Sequence, residues 1–196
     1  MNITKEELRK TVLFGRKLLP PEEVKEKSER IKELFFSLAF WNSNENFFVY
    51  MSDERGEVET KPIIYSLLER GKKIWIPRVK GHNLIWYQIE EKRIQELEIS
   101  PWGIFEPLPS WEPSTDRIKE KTVCIVPGIV FDRRGYRIGR GKGFYDRFLS
   151  CNRQCISVGF CYSFQMVMLC PHRNWDVPVD WVITEDNVFH PHNSLS

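Results

Sequence analysis

The residues with the clearest chemical potential form a short glycine-rich run, residues 139–143 (Gly-Arg-Gly-Lys-Gly), followed closely by Tyr145 and Asp146. Glycine lets a backbone approach a ligand closely and adopt positive φ angles, and consecutive exposed N–H groups form an anion-binding concavity. Arginine and lysine add positive charge, and a guanidinium can bind two phosphate oxygens at once. A carboxylate just downstream can hold a metal ion against those phosphates. The run therefore predicts a loop that binds a nucleoside triphosphate.

This loop matches neither of two common phosphate-binding patterns. A P-loop needs Gly, four residues and then Gly-Lys-Ser/Thr, whereas Lys142 is followed by Gly143, and Tyr136 stands at the position of the earlier glycine. A dinucleotide-binding fingerprint needs G-x-G-x-x-G, and the spacing of Gly139, Gly141 and Gly143 differs from it. From spacing alone, a flexible hairpin turn that carries two solvated cations stays open as an alternative.

Composition favours a single domain, residues 1–196, that is not a bulk nucleic-acid binder. The chain has 29 Lys or Arg against 27 Asp or Glu, a net charge of +2. A chain of this length can bury a substantial core, while a nucleic-acid-binding domain is expected to show a strong basic excess. The N-terminus is polar from its second residue, and no apolar run approaches the roughly 18 residues that span a bilayer. We therefore expect neither a nucleic-acid nor a membrane partner.

Cysteine usage predicts a reducing compartment. The cysteines are Cys124, Cys151, Cys155, Cys161 and Cys170. Their number is odd, no C-x-x-C pair occurs and no signal peptide is visible, so free thiols in the cytoplasm are the simplest interpretation. Cys124 and Cys161 lie in apolar runs typical of buried strands. A zinc site from Cys170 and the histidines at 172, 190 and 192 lacks any standard ligand spacing.

Helix signals at the N-terminus place basic residues on one helical face. A capping box at residues 4–7 predicts a helix that ends near residue 19, where two prolines follow. Lys5, Arg9 and Arg16 share a face of this helix because they are spaced by four and seven residues. For a lone helix, a solvated basic stripe is the favoured interpretation.

The rest of the chain alternates predicted strands and helices. Further helices are expected at about 22–39, 61–70 (with Thr60 as cap) and 144–150, and strands at 47–51, 73–79, 84–89, 123–131, 155–162 and 181–184. This alternation implies a three-layer α/β/α sandwich with a mostly parallel sheet, in which ligands lie beyond the carboxyl ends of the strands. The glycine-rich loop joins a strand to a helix N-terminus, where N–H groups and the helix dipole both favour phosphate.

Two further segments lack regular periodicity. Residues 99–117 are rich in Pro, Trp and Ser, and their aromatic residues Trp102, Phe105 and Trp111 either line a binding cleft or cover the sheet edge. Residues 187–196 are expected to form a disordered tail.

Beyond these local signals, the chain resembles the 5-formyltetrahydrofolate cyclo-ligase family, also called the methenyltetrahydrofolate synthetases, over residues 4–186. The most specific segment is 127–146, which runs from Pro-Gly through Phe131-Asp132 to the glycine-rich loop and Tyr-Asp. The other segments are residues 5–9 (Lys-Glu-Glu-Leu-Arg), 57–60 (Glu-Val-Glu-Thr), and the closing Asp176, Val179-Asp180 and Thr184-Glu185.

The resemblance implies a Rossmann-like (NagB/RpiA/CoA-transferase-like) fold and an ATP-driven ring closure that requires Mg²⁺. The formyl group of 5-formyltetrahydrofolate would become the methenyl bridge of 5,10-methenyltetrahydrofolate, with release of ADP and phosphate. Phosphorylation would make the formyl oxygen a good leaving group, and the neighbouring arylamine nitrogen would close the ring. The protein would position both ligands and neutralise charge on the transferred phosphoryl group. It is expected to act as a monomer, on a mono- or polyglutamylated folate.

The family's site residues carry over to positions of this chain. The implied ATP-binding residues are Lys5, Arg9, Arg137, Ile138, Gly139, Arg140, Gly141, Lys142, Gly143, Phe144 and Tyr145. Within the loop, Arg140, Gly141, Lys142, Gly143 and Phe144 would also contact the folate, and Arg140, Lys142 and Tyr145 would be the catalytic residues. Asp146 and Asp176 would bind Mg²⁺. Glu59 would hold the pterin by accepting two hydrogen bonds, although a surface acid near a helix N-terminus explains it as well.

The chain departs from the family pattern at several positions. Arg140 and Lys142 stand where many members have Tyr and Gly, and Phe144 replaces a common Tyr. The segment 52–58 is one residue longer than in some relatives, which leaves the folate contact before Glu59 unassigned.

Other functions stay open from the sequence: a folate- or nucleotide-binding protein without turnover, a sugar-phosphate enzyme on a similar scaffold, and an RNA-binding protein. Two acids and a basic N-terminal pair favour a magnesium triphosphate over a single phosphate, and the charge balance disfavours RNA.

Overall fold

A computed structural model of the chain describes residues 3–53, 55–101, 103–113 and 122–191. Within these residues the helices are α1 (Lys5–Leu18), α2 (Pro21–Ser37), α3 (Phe40–Ser43), α4 (Lys61–Glu69) and α5 (Phe144–Cys151). The strands are β1 (Asn46–Phe48), β2 (Lys73–Lys80), β3 (Asn83–Ile89), β4 (Glu98–Ile99), β5 (Phe105–Glu106), β6 (Thr122–Val126), β7 (Val130–Asp132), β8 (Arg137–Ile138), β9 (Ile156–Phe160), β10 (Met166–Val167), β11 (Trp181–Ile183) and β12 (Val188–Phe189). Short 3₁₀ turns cover Glu91–Glu96 and Ser163–Gln165.

The main sheet has the strand order β12-β11-β9-β6-β1-β2-β3. Its inner pairs, from β11 to β2, are parallel, and the outer pairs β11–β12 and β2–β3 are antiparallel. In the register at the centre, Phe47 of β1 lies between Ile74 and Val123. The predicted mostly parallel sheet is therefore confirmed. Two smaller sheets have the strand orders β10-β7-β8 and β4-β5.

Different helices cover the two faces of this sheet, which gives the predicted three layers. Successive strand residues point to opposite faces, so Phe47 packs with α2 and α4, through residues such as Phe35 and Leu67. Its neighbour Phe48 packs on the other face with Leu149 of α5. None of the described helices is both long enough and apolar enough to cross a membrane.

Helix α1 begins at the capping box that the sequence predicts. The Thr4 side chain accepts a hydrogen bond from the Glu7 N–H at 3.2 Å, and the Glu7 carboxylate accepts one from the Thr4 N–H at 2.8 Å. The helix packs through Leu8 and Val12 against the cluster that includes Val130 of β7. This docking fixes which face of α1 meets the rest of the molecule.

The predicted strand 123–131 is wrong in its extent, because the chain forms two strands there. Strand β6 ends at Val126, and β7 belongs to the small sheet. Pro127 has no N–H to continue a ladder. A Cβ at Gly128 or Gly159 would collide with the Phe131 ring, so this ring packs directly against both backbones and the chain turns away between the strands.

Two other local predictions need correction. Residues 187–196 are not a disordered tail throughout, since Val188 and Phe189 pair with β11 and the His190 ring stacks on Trp181 at 4.0 Å; residues 192–196 lie outside the described part of the chain. Thr60 is the N-cap residue of α4, as predicted, but its side chain makes no capping hydrogen bond. Its hydroxyl donates instead to the Tyr50 carbonyl at 2.7 Å, because the preceding segment folds back onto it.

The cysteines are free thiols, as the sequence predicts. Cys124 and Cys161 are buried in the core, where desolvation raises the pKa of each thiol well above its ordinary value.

Candidate active site

A cleft of about 540 Å³ lies at the carboxyl ends of three neighbouring parallel strands. Pro127 follows β6, Tyr50 follows β1, and Val79 lies near the end of β2; all three line the cleft. Parallel sheets of this kind place ligand sites at the carboxyl ends of their strands. The site therefore lies where the strand pattern predicts it.

The glycine-rich loop, residues 139–143, forms one wall of this cleft and leads from β8 into α5. Gly141 has φ 89° and Gly143 has φ 65°, conformations that favour glycine. Gly143 is the N-cap of α5, so the loop ends at N–H groups that a helix leaves without intrahelical partners. The predicted position of the loop, between a strand and a helix N-terminus, is confirmed.

Helix α1 brings two of its basic residues to the same cleft. The Arg9 Nε donates to the Gly139 carbonyl at 2.7 Å, and the Lys5 ammonium lies 2.6 Å from an Asp176 carboxylate oxygen. Arg16 does not join them. Its side chain is only 2% exposed and forms an ion pair with Asp53 at 3.1 Å. A solvated basic stripe is therefore the wrong interpretation for Arg16.

Two carboxylates face the loop from different segments. Asp146, in the first turn of α5, accepts hydrogen bonds from the Arg137 guanidinium and the Val177 N–H, each at 3.1 Å. Asp176 accepts from Lys5 and from the Arg173 N–H. Burial raises the pKa of Asp176, but these hydrogen bonds and the charges of nearby cations outweigh it and lower the pKa below its ordinary value. Asp176 is thus anionic near neutral pH.

These two carboxylates have the chemistry of a magnesium site. Mg²⁺ prefers hard oxygen ligands and is held by one or two carboxylates together with waters and substrate phosphates. Among the described residues, no group of three or more His, Cys, Asp or Glu side chains could hold a metal ion. A metal at Asp146 and Asp176 would therefore depend on phosphate oxygens for part of its coordination.

The predicted pterin acid Glu59 does not lie in this cleft. Within the described residues, Glu57 lines both the cleft and an adjoining pocket of about 870 Å³, whereas Glu59 lines only that adjoining pocket. Burial raises the pKa of Glu57, and the neighbouring Asp53 raises it further, against the opposing effect of Arg16. Strand geometry does not distinguish the two acids, because residues two apart on an extended segment share a side; the tertiary fold is what places Glu57 at the cleft.

The sequence left open whether the aromatic residues of segment 99–117 line a binding cleft or cover the sheet edge, and the described ones differ in this respect. Trp111 packs against the main core with the Arg93 guanidinium 4.7 Å from its ring centre, and Phe105 lines the adjoining pocket. Within this segment, Ile104 and Glu106 line the cleft. Trp102 lies outside the described residues.

Two further aromatic residues complete the cleft. The Tyr145 hydroxyl is buried without a hydrogen-bond partner, and desolvation raises its pKa well above the ordinary value, so the phenol stays protonated. Trp175 is 65% exposed, lines the cleft beside Asp176, and has the Arg173 guanidinium 5.2 Å from its ring centre. Sequence reasoning missed Trp175, because a single tryptophan in a loop carries no local signal.

Apart from Glu59, the cleft contains every residue to which the sequence assigns a site role. Arg137 is nearly buried and Ile138 buried in β8, and both line the cleft, as do Arg140, Lys142 and Phe144. The Arg140 guanidinium donates to the buried carboxylate of Asp53. The structure thus brings together residues from the N-terminal helix, the glycine-rich loop and the segment near Asp176.

The sequence is similar to known proteins of one family. The sequence model described as "5-formyltetrahydrofolate cyclo-ligase family" matches residues 2–185. A probable 5-formyltetrahydrofolate cyclo-ligase of Schizosaccharomyces pombe is 29% identical over 191 residues, which cover 92% of this chain and 91% of the relative. The 5-formyltetrahydrofolate cyclo-ligase of Haemophilus influenzae is 31% identical over 140 residues, 68% of this chain and 72% of the relative.

A solved structure extends the likeness to the fold. The 5,10-methenyltetrahydrofolate synthetase of Aquifex aeolicus superposes with a TM-score of 0.81 at 34% identity, over 99% of this chain and 96% of the other. Since the family match spans almost all of the sequence and the whole fold is shared, this chain belongs to the 5-formyltetrahydrofolate cyclo-ligase family.

Proposed function

We propose that this protein converts 5-formyltetrahydrofolate into 5,10-methenyltetrahydrofolate and uses magnesium-bound ATP, which becomes ADP and phosphate. One observation supports this most strongly. A phosphate-type glycine loop, two basic residues of α1, two carboxylates and the partly buried Glu57 all line a single cleft. A cleft of this volume is within the range of small-molecule binding sites, and its cations suit anionic ligands.

The triphosphate binds, in this proposal, between the glycine-rich loop and the first turns of α1. Lys5 and Arg9 supply charge, and the N-terminus of α5 supplies N–H donors. Trp175 lies next to Asp176 and offers an exposed ring face to the nucleobase.

Magnesium fits the carboxylate pair by its preference for oxygen ligands. Asp146 and Asp176 would hold it, and when bound it would offset the negative charge of the phosphates. In its absence the Lys5 ammonium, 2.6 Å from Asp176, neutralises that carboxylate.

The folate binds at the other end of the cleft, with its pterin on Glu57 instead of Glu59. A carboxylate accepts two hydrogen bonds from adjacent N–H groups, and the pterin amino and ring N–H groups present such a pair. Tyr50, Val79 and Ile104 supply apolar walls for the rings.

The reaction then proceeds by positioning and charge neutralisation. The formyl oxygen attacks the γ-phosphorus as the bond to the β-phosphate oxygen breaks, and ADP is the product. The arylamine nitrogen next attacks the formyl carbon, the C–O bond breaks, and phosphate leaves with its electron pair. Arg140 and Lys142 stabilise charge on the transferred group, and the protonated Tyr145 hydroxyl donates a hydrogen bond within the cleft. The arylamine proton passes to solvent.

The test is direct. Protein, Mg²⁺, ATP and 5-formyltetrahydrofolate are mixed, and the absorbance of the methenyl product is followed. We expect product, and Asp146→Asn is expected to reduce its rate about 100-fold or more with the fold intact. Absence of product from a protein that still binds ATP would instead identify a binding protein without turnover. A monomer in the cytoplasm, acting on mono- or polyglutamylated folate, stays a prediction, and gel filtration tests the oligomeric state.

A further inference from the structure

Asp53 is a buried carboxylate that joins three separate parts of the molecule. It lies in the segment after β1, and its side chain is 2% exposed. Its Oδ1 accepts hydrogen bonds from Arg16 of α1 at 3.1 Å and from the Arg55 N–H at 3.0 Å. Its Oδ2 accepts one from the Arg140 guanidinium in the glycine-rich loop. No sequence pattern assigns a role to this residue.

Arg140 needs such an anchor. It stands between Gly139 and Gly141, and glycine has the largest backbone freedom of any residue, so local structure restrains this side chain poorly. Its side chain is 42% exposed, whereas the oxygen it contacts is buried. The contact therefore ties a partly exposed cation to a buried carboxylate.

Asp53 is rigid because Arg16 is rigid. The Arg16 side chain is as buried as Asp53, and its Nε also donates to the Gly56 carbonyl at 3.0 Å. Removing one partner of a buried ion pair leaves an uncompensated charge at high cost, so the pair stays formed. The ion pairs of Asp53 with Arg16 and with Arg140 therefore connect α1 to the glycine-rich loop.

The anchored guanidinium also lies beside the acid end of the cleft. The charge of Arg140 lowers the pKa of Glu57, which burial and Asp53 raise. The bond to Asp53 uses Nη2, while Nε and Nη1 carry further N–H donors that can bind oxygen atoms. The guanidinium of Arg140 is thus held near Glu57. In the proposed function, this is close to the place where the phosphoryl group passes from ATP to the folate.

We propose that Asp53 is a positioning residue that holds Arg140 in place for phosphoryl transfer. This inference rests on the proposed function of the cleft. Asp53 does not line the cleft; it acts through the Arg140 guanidinium, whose placement decides how well the developing charge is stabilised. Asp53 also supports the fold through Arg16, and the two roles must be separated by experiment.

A double-mutant cycle separates them. The variants are Asp53→Asn, Arg140→Ala and the two combined, and kcat and both KM values are measured by methenyl product formation. If Asp53 acts through Arg140, each single change lowers kcat about 10- to 100-fold with smaller effects on KM. The combined variant is then no slower than Arg140→Ala alone, within about twofold, because the interaction is already lost.

Asp132 provides the matched control. It is also fully buried and accepts hydrogen bonds from an arginine, Arg134, but it does not line the cleft. Asp132→Asn should lower stability in urea unfolding, and any loss of rate it causes should multiply with that of Arg140→Ala. If Asp53→Asn does not fold, the cycle is run with Asp53→Glu, which keeps the charge opposite Arg16 and displaces the carboxylate.

Two outcomes overturn the inference. One is multiplication of the Asp53 and Arg140 losses, as for Asp132, which assigns Asp53 a purely structural role. The other is full activity of Arg140→Ala. Both require an active wild-type enzyme, whereas failure of the proposed function would appear as a wild-type protein that forms no product.

Discussion

Glu57 and Glu59 are chemically identical and lie two residues apart, yet only Glu57 lines the main cleft. We expect Glu57→Gln to raise KM for 5-formyltetrahydrofolate by about 10- to 100-fold, because a hydrogen bond to a charged group contributes roughly 1.5–3 kcal/mol. KM for ATP should change little. Steady-state kinetics with each substrate varied in turn measures both, and Glu59→Gln is the control, expected within about twofold of wild type. The opposite pattern would return the pterin to Glu59.

For single residues, the sequence predicts a functional role well where the residues of a site are close together along the chain. The loop residues 139–146 carry their chemistry in consecutive positions, so residue types and spacing suffice to identify a phosphate site. Asp53 and Arg16 could not be identified in the same way. Arg16 resembles a third member of a basic stripe, and its burial depends on Asp53, which lies 37 positions along the chain. No local pattern reports such a pair.

At the scale of elements, helix α1 places Lys5 and Arg9 one turn apart over the cleft. We expect Lys5→Ala combined with Arg9→Ala to raise KM for ATP about tenfold or more, because the two cations proposed to bind the phosphates are lost while the capping box stays. Lys10→Ala is the control, since Lys10 is exposed and pairs with Glu6 on the same helix. Substrate kinetics decides between the alternatives: an equal rise in KM for folate would argue against a triphosphate role for this helix.

Periodicity and the residues that begin or end helices predict most of the helices and strands. The errors occur where a tertiary contact determines the local structure. The capping box and the prolines define α1 correctly because both act within a few residues. The split of segment 123–131 depends on the Phe131 ring packing against Gly128 and the distant Gly159. Likewise Val188 and Phe189 form a strand only because β11 offers an open edge. The hydrophobicity pattern along the chain predicts neither the Phe131 packing nor the pairing with β11.

At the scale of the whole molecule, the cleft joins the two ends of the sequence. Lys5 and Asp176 form an ion pair across it at 2.6 Å, and the carboxyl ends of the central strands form its floor. A ligand in this cleft therefore contacts α1, the glycine-rich loop and the segment near Trp175 at once. Binding should thus stabilise the complete fold and not one loop alone.

Thermal unfolding measures how much ligand binding stabilises the fold. At a concentration of magnesium-bound ATP about 100 times its Kd, binding to the native state alone adds about 2.7 kcal/mol. For a chain of this length each kcal/mol raises Tm by about 2–4 °C, so we expect a shift of about 5–10 °C. ATP with a chelator should shift Tm less, and so should magnesium-bound ATP with Asp146→Asn, because both remove the metal from the phosphates. A full shift in the presence of the chelator would show that ATP binds without Mg²⁺ and that the two carboxylates act otherwise than as metal ligands.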